Sequence, residues 1–127
     1  MLRDSHGFSS FSVNDLAAAR QFYGEILGLP VHDEPMGLML ELQGGTQIFI
    51  YEKKDDHQPA TFTVLNFPVE DIDKAASDLK TKGITLERYE GMTDDMGIAR
   101  GIAKKMGPDI AWFKDPAGNI LSVLHEG

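Results

Sequence analysis

The side chains best suited to catalysis or metal binding are scattered through this sequence rather than gathered in a pattern. Four histidines, His6, His32, His57 and His125, are its only imidazoles, and no cysteine is present to supply a thiolate ligand, a nucleophile or a disulfide. They fall near the start, in an early strand, in a polar connection and at the end of the last strand. No helical or hairpin spacing unites them, so they read as separate surface histidines. Glu52, Glu90 and Asp109 are general bases by type alone. Arg100 lies in a glycine-rich stretch, and its planar fork of donors suits a carboxylate or phosphate. Gly44-Gly45 and the 97–101 stretch match neither the dinucleotide nor the P-loop pattern. No catalytic residue is assigned.

A second group of side chains could line a binding surface, and strands must position it. Residues 8–13 alternate with a two-residue period that puts Phe11 and Val13 on one face and Phe8, Ser10 and Ser12 on the other. Asn14 or Asp15 can cap the helix that follows. From 16 to 27 the apolar residues recur at helical spacing, and Gly28 is placed to end it. Strands are expected at 30–32, 38–42 and 47–52, the last two joined as a hairpin through Gln43-Gly44-Gly45. After a polar connection at 53–59 the pattern restarts, with a strand at 61–69 and a helix at 71–82 that stops at Gly83. Strands are then expected at 84–89, 109–114 and 119–125.

The chain is thus read as one α+β domain, residues 1–127, made of two βαβββ repeats at about 6–53 and 60–126. Val13-Asn14-Asp15-Leu16 and Val69-Glu70-Asp71-Ile72 are equivalent junctions, offset by 56 residues. Two such units, each with one sheet face covered by its helix, are expected to form a curved mixed sheet around a cup. Residues 90–107 interrupt the regularity with glycines and methionines, and are read as a loop able to act as a lid.

The phrase Val13-Asn14-Asp15-Leu16, followed by Phe22-Tyr23-Gly24-Glu25-Ile26-Leu27-Gly28-Leu29 and later by Trp112-Phe113-Lys114-Asp115-Pro116-Ala117-Gly118-Asn119, resembles the vicinal oxygen chelate superfamily. This group contains glyoxalases, bleomycin-resistance proteins and extradiol dioxygenases. The resemblance implies a cup between the halves, pairing into dimers and, in metal-dependent members, four converging donors on the first and last strands of each half. Counted from the junctions and hairpins, those positions here are Phe8, Val64, Phe49 and Ser122. Only Ser122 carries an oxygen, so no metal and no cofactor is expected. The ligand-binding set read from inward parity, the loop and the resemblance is Phe8, Ser10, Gln47, Phe49, Tyr51, Val64, Asn66, Arg100, Trp112 and Ser122. Aromatic members would stack on a flat ligand; Ser10, Gln47, Asn66 and Ser122 would meet its polar groups or bond to one another.

Twenty acidic against twelve basic residues give a net charge of -8, which opposes nucleic-acid binding. No apolar run approaches the roughly 20 residues of a membrane span, and the absence of cysteine suits the cytoplasm. Three functions remain open. The chain can be a metal-free homodimer that binds a small molecule, an enzyme such as a lyase, isomerase or dioxygenase-like member of the superfamily, or a dimerisation and interaction domain without ligand.

Overall fold

Strand β1, Ser9–Val13, leads into helix α1, Leu16–Arg20, through an extended Asp15 whose carboxylate accepts from the N–H groups of Ala17 and Ala18. This local cap fixes where the helix starts. The expected helix over 16–27 is present, but after Arg20 it widens into a π-helical segment, Gln21–Ile26. It ends before Gly28, whose φ of +73° is open to glycine at little cost. Strands β2, Val31–Glu34, β3, Gly37–Glu41, and β4, Gln47–Glu52, complete the first repeat. They form one four-stranded sheet in the order β1-β4-β3-β2, with β1 and β4 parallel and the other pairs antiparallel.

The second repeat copies this plan. Strand β5, Thr63–Pro68, is followed by α2, Ile72–Thr81, capped by Asp71, which is 56 residues after Asp15. Strands β6, Ala99–Arg100, β7, Asp109–Lys114, and β8, Ile120–His125, complete a sheet of order β5-β8-β7-β6, again with its first pair parallel. The structure, a computed structural model, describes all 127 residues, and they divide into compact units at Met1–Pro59 and Ala60–Gly127. The fold is α+β with two similar halves, each carrying a four-stranded mixed sheet. No helix is long and apolar enough to cross a membrane.

In each unit one sheet face is apolar. Phe11, Val13, Leu38, Leu40, Ile48 and Ile50 are buried in the first, where Tyr23 packs at 6.0 Å from the Phe11 ring and 5.1 Å from the Phe22 ring. Leu65, Ala111, Phe113, Leu121 and Val123 are their counterparts in the second, with Ile72, Ala76 and Leu79 of α2. The opposite face of each sheet carries the polar and aromatic side chains expected to line a site.

Two expectations need correction. Residues 84–89 do not form a strand; their backbone pairs with the sheet through a single bridge, Leu86 to Phe113, with the Glu87 N–H to the Trp112 carbonyl at 2.8 Å. The fourth strand comes instead from within 90–107, where Ala99 and Arg100 pair with Ile110 and Asp109. Both segments lie along one edge of β7, at opposite ends. Alternation of Ile84 and Leu86 reports their burial, 9% and 4% exposed, rather than a ladder. The 90–107 stretch is therefore not one free excursion, since its middle is built into the sheet and Ile98 is fully buried.

Candidate functional site

On the open face of the first sheet, register sets two rows of side chains. Ser10 stands beside Phe49, which stands beside Met39; two residues along, Ser12 stands beside Tyr51 and Tyr51 beside Gly37. The Phe49 and Tyr51 rings stack at 6.2 Å with only 18° between their planes, and both are half-buried. Ser10 and Gln47 are exposed at the margin of this pair, and Phe8, just before β1, is 62% exposed. The strand period thus gathers Phe8, Ser10, Gln47, Phe49 and Tyr51 on one face, with a near-parallel aromatic pair and neutral hydrogen-bonding groups at its edge.

The open face of the second sheet places Asn66, Ser122 and Trp112 in one row. Ser122 is fully buried, and its hydroxyl donates to the exposed Asn66 side-chain oxygen at 2.6 Å. These two polar groups bond to each other, and no buried side-chain nitrogen or oxygen in the chain is left without a partner. Trp112 meets Tyr89 edge-on at 5.4 Å. Val64 falls where the β5 register against β8 shifts, between Thr63 and Leu65. The second face is more fully committed to its own contacts than the first.

Arg100 differs from its expected role. Its guanidinium is held by Asp73 of α2, at 2.6 and 3.1 Å, and its Nε donates to Asp94 at 3.0 Å. Asp94 also accepts the N–H groups of Met96 and Ile98 at 2.9 Å each. The hydrogen bond from Arg100 holds the Asp73 carboxyl below its ordinary range. For Asp94, desolvation pushes upward but is outweighed by the bonds from Ile98, Arg100 and Met96, and the net shift is downward. Asp73 and then Asp94 hold Arg100 still further above its ordinary value. The arginine is a strut between helix and loop, with all three guanidinium nitrogens engaged by protein carboxylates.

The carboxylates considered as bases are also in structural use. Glu52 accepts the Leu16 N–H at 2.8 Å, adding to the α1 cap, and Asp109 accepts the Ile102 N–H at 3.1 Å. Glu90 is exposed. The histidines stay apart: His32 pairs with Glu41 at 3.1 Å, His57 with Ser12, and His125 Nδ1 meets the Val69 carbonyl at 3.0 Å. No three His, Asp or Glu residues converge.

The positions that resemble metal-ligand sites do not fit a metal. Phe8, Phe49 and Val64 have no lone pair to offer, and the Ser122 hydroxyl is a neutral group already donating to Asn66. The pair missed by sequence reading is Ser12 with His57, whose Oγ and Nδ1 share a hydrogen bond of 2.8 Å across 45 residues. Ser12 showed the parity of Ser10, but nothing in the sequence indicated that the polar connection would return His57 to it.

Comparison with known proteins agrees with this architecture. The family model described as Glyoxalase/Bleomycin resistance protein/Dioxygenase superfamily matches residues 8–123. The uncharacterised protein YraH of Bacillus subtilis is 29% identical over 125 residues, covering 87% of this chain and 90% of that protein. TnmS3, an antibiotic binding protein from Streptomyces sp. CB03234, superimposes with a TM-score of 0.69 at 19% identity, with both chains covered completely. A glyoxalase family protein from Bacillus anthracis gives a TM-score of 0.69 at 23% identity, also over the full length of both chains. At such identities the structural likenesses speak to fold alone. With the family model spanning almost all of both repeats, the chain belongs to the glyoxalase/bleomycin resistance protein/dioxygenase superfamily.

Proposed function

We propose that this protein binds a small aromatic or amphipathic molecule without a protein-bound metal, and that it is a binding protein rather than an enzyme. The observation that carries this reading is the stacked Phe49–Tyr51 pair on a sheet face away from the core, flanked by Ser10 and Gln47. Ligand sites are mostly apolar, with a few placed polar groups that fix orientation, and this face has that composition. The metal-free part rests on the side chains at the four ligand-like positions. The preference for binding over catalysis rests on Glu52 and Asp109, both engaged with backbone N–H groups. The likeness in fold to an antibiotic binding protein supports this reading.

The working form in this reading is a cytoplasmic homodimer, with a net charge of -8 that suits neutral or cationic ligands better than anionic ones. The test is a screen of aromatic compounds by thermal shift, followed by calorimetry on the intact protein and on Phe49→Ala. An aromatic binder whose affinity falls about tenfold in Phe49→Ala, and is unchanged by prior dialysis against a chelator, is the expected result. A panel with no binder, or binding lost on chelation, overturns the proposal.

A further inference from the structure

The Ser12–His57 pair occupies the second row of the same sheet face. Ser12 is the register partner of Tyr51, one row along from the Ser10–Phe49 row, and a strand rises about 3.3 Å per residue, so the rows are about 7 Å apart. Ser12 and His57 are both half-buried, which leaves the pair within reach of the surface while it is shielded from full solvation. A flat molecule laid on Phe49 and extending toward Tyr51 brings its far edge to Ser12 and His57.

The chemistry of the pair selects what that edge can carry. A neutral imidazole holds one proton on either nitrogen, and a serine hydroxyl both donates and accepts, so together they can match a group that also does both. A hydroxyl oxygen takes up to three hydrogen bonds at once, so Ser12 can serve a ligand and its protein partners together. The turn that delivers His57 carries Glu52, Asp55 and Asp56 against Lys53 and Lys54, and this negative balance disfavours a carboxylate there. A phenolic hydroxyl meets both conditions.

We infer that the Ser12–His57 pair is the polar anchor of the ligand face and that it selects aromatic molecules bearing a phenolic hydroxyl. This rests on the reading of Phe49 and Tyr51 as a ligand platform. The experiment compares 2-naphthol with its methyl ether, 2-methoxynaphthalene, by calorimetry on the full chain, because the two differ in whether the oxygen can donate. The expected result is binding of 2-naphthol about five- to tenfold tighter than of the ether, the worth of one hydrogen bond. Ser12→Ala and His57→Ala should each remove most of that difference by weakening 2-naphthol more than the ether, whereas Phe49→Ala should weaken both probes alike. As a readout that needs no substitution, the His57 ring-nitrogen resonances of the unsubstituted protein should move with 2-naphthol and stay in place with the ether. Equal affinity for both probes, or unmoved His57 resonances, overturns the inference; if Phe49→Ala still weakens both, the platform itself survives. If neither probe responds to Phe49→Ala, the platform reading fails and this inference fails with it.

Discussion

The buried Ser122 hydroxyl donates to the exposed Asn66 side chain at 2.6 Å, and the two residues hold the register positions in the second sheet that Phe49 and Ser10 hold in the first. One architecture thus carries a stacked aromatic pair in one half and a closed polar pair in the other. The two partners should not be equivalent to mutation. Ser122→Ala removes the buried donor and leaves Asn66 to bond water, at a cost of about 1 kcal/mol. Asn66→Ala leaves a buried hydroxyl without its acceptor and should cost more, up to about 3 kcal/mol. Urea unfolding of both variants checks the order, and a larger loss for Ser122→Ala contradicts this account.

The strut between Asp73, Asp94 and Arg100 predicts how the protein responds to acid. Both carboxyls are held below their ordinary value of 3.8 in the folded state, mainly through hydrogen bonding, with Arg100 as a partner of each. Unfolding restores the ordinary value, so the unfolded chain binds the proton first as pH falls. Their stabilising contribution is therefore complete above that value and lost as pH drops through the lower folded values. Asp94→Asn should destabilise the protein at neutral pH, and the gap to the unsubstituted protein should close below about pH 4. Denaturant midpoints at a series of pH values would show it, and a gap that persists in acid would contradict the strut.

Gly97 offers a sharper test of whether the 90–107 segment is built into the fold. Its φ of +87° is strained for any L side chain, and an added Cβ would lie 3.0 Å from the Leu86 Cβ, on the residue that bridges to Phe113. Gly97→Ala should cost at least about 1 to 2 kcal/mol from the backbone conformation alone. Gly91→Ala, also at positive φ but with nothing within 4 Å of its Cβ, separates the backbone term from the packing term. Equal losses at the two positions would mean that the contact with Leu86 is immaterial.

Periodicity carried most of the fold. The junction phrases 56 residues apart, the alternation of Phe11 and Val13, and the cap-to-glycine span of α1 are local signals that a chain must satisfy before it packs, and they located two equivalent halves. The edge of the second sheet was not legible, because a two-residue strand has too short a period to register and Leu86 mimics a strand residue merely by being buried. The site divided in the same way. Phe49, Tyr51 and Ser10 share a face through strand parity, whereas His57 reaches Ser12, and Arg100 reaches Asp73, by turns whose geometry no local spacing encodes.

Metal content is a direct consequence of the residues at the ligand-like positions. Protein purified without chelator should carry only substoichiometric zinc, nickel, iron or manganese by elemental analysis, and thermal stability should be indifferent to added chelator. About one ion per chain, lost on replacing Ser122 or His6, would show that these donors do assemble a site. It would overturn the metal-free reading while leaving the aromatic platform to be judged by its own test.

The homodimer proposal follows from how the two sheets end. In the first, β1 and β2 are the edges; β2 exposes His32, Asp33 and Glu34, charged or ionisable side chains of the kind that keep an edge from pairing. In the second, β5 and β6 are the edges, and β6 is only two residues long. The long edges β1 and β5 contain no charged residue, so they lack that protection, and a closed two-fold assembly is the commonest way for a small protein to cover such surfaces. Light scattering should return twice the chain mass at micromolar concentration, and backbone amides of β1 or β5 should exchange faster once the protein is diluted below its dissociation constant. A monomer mass at high micromolar concentration, with exchange in both strands independent of dilution, would show that these edges need no second copy.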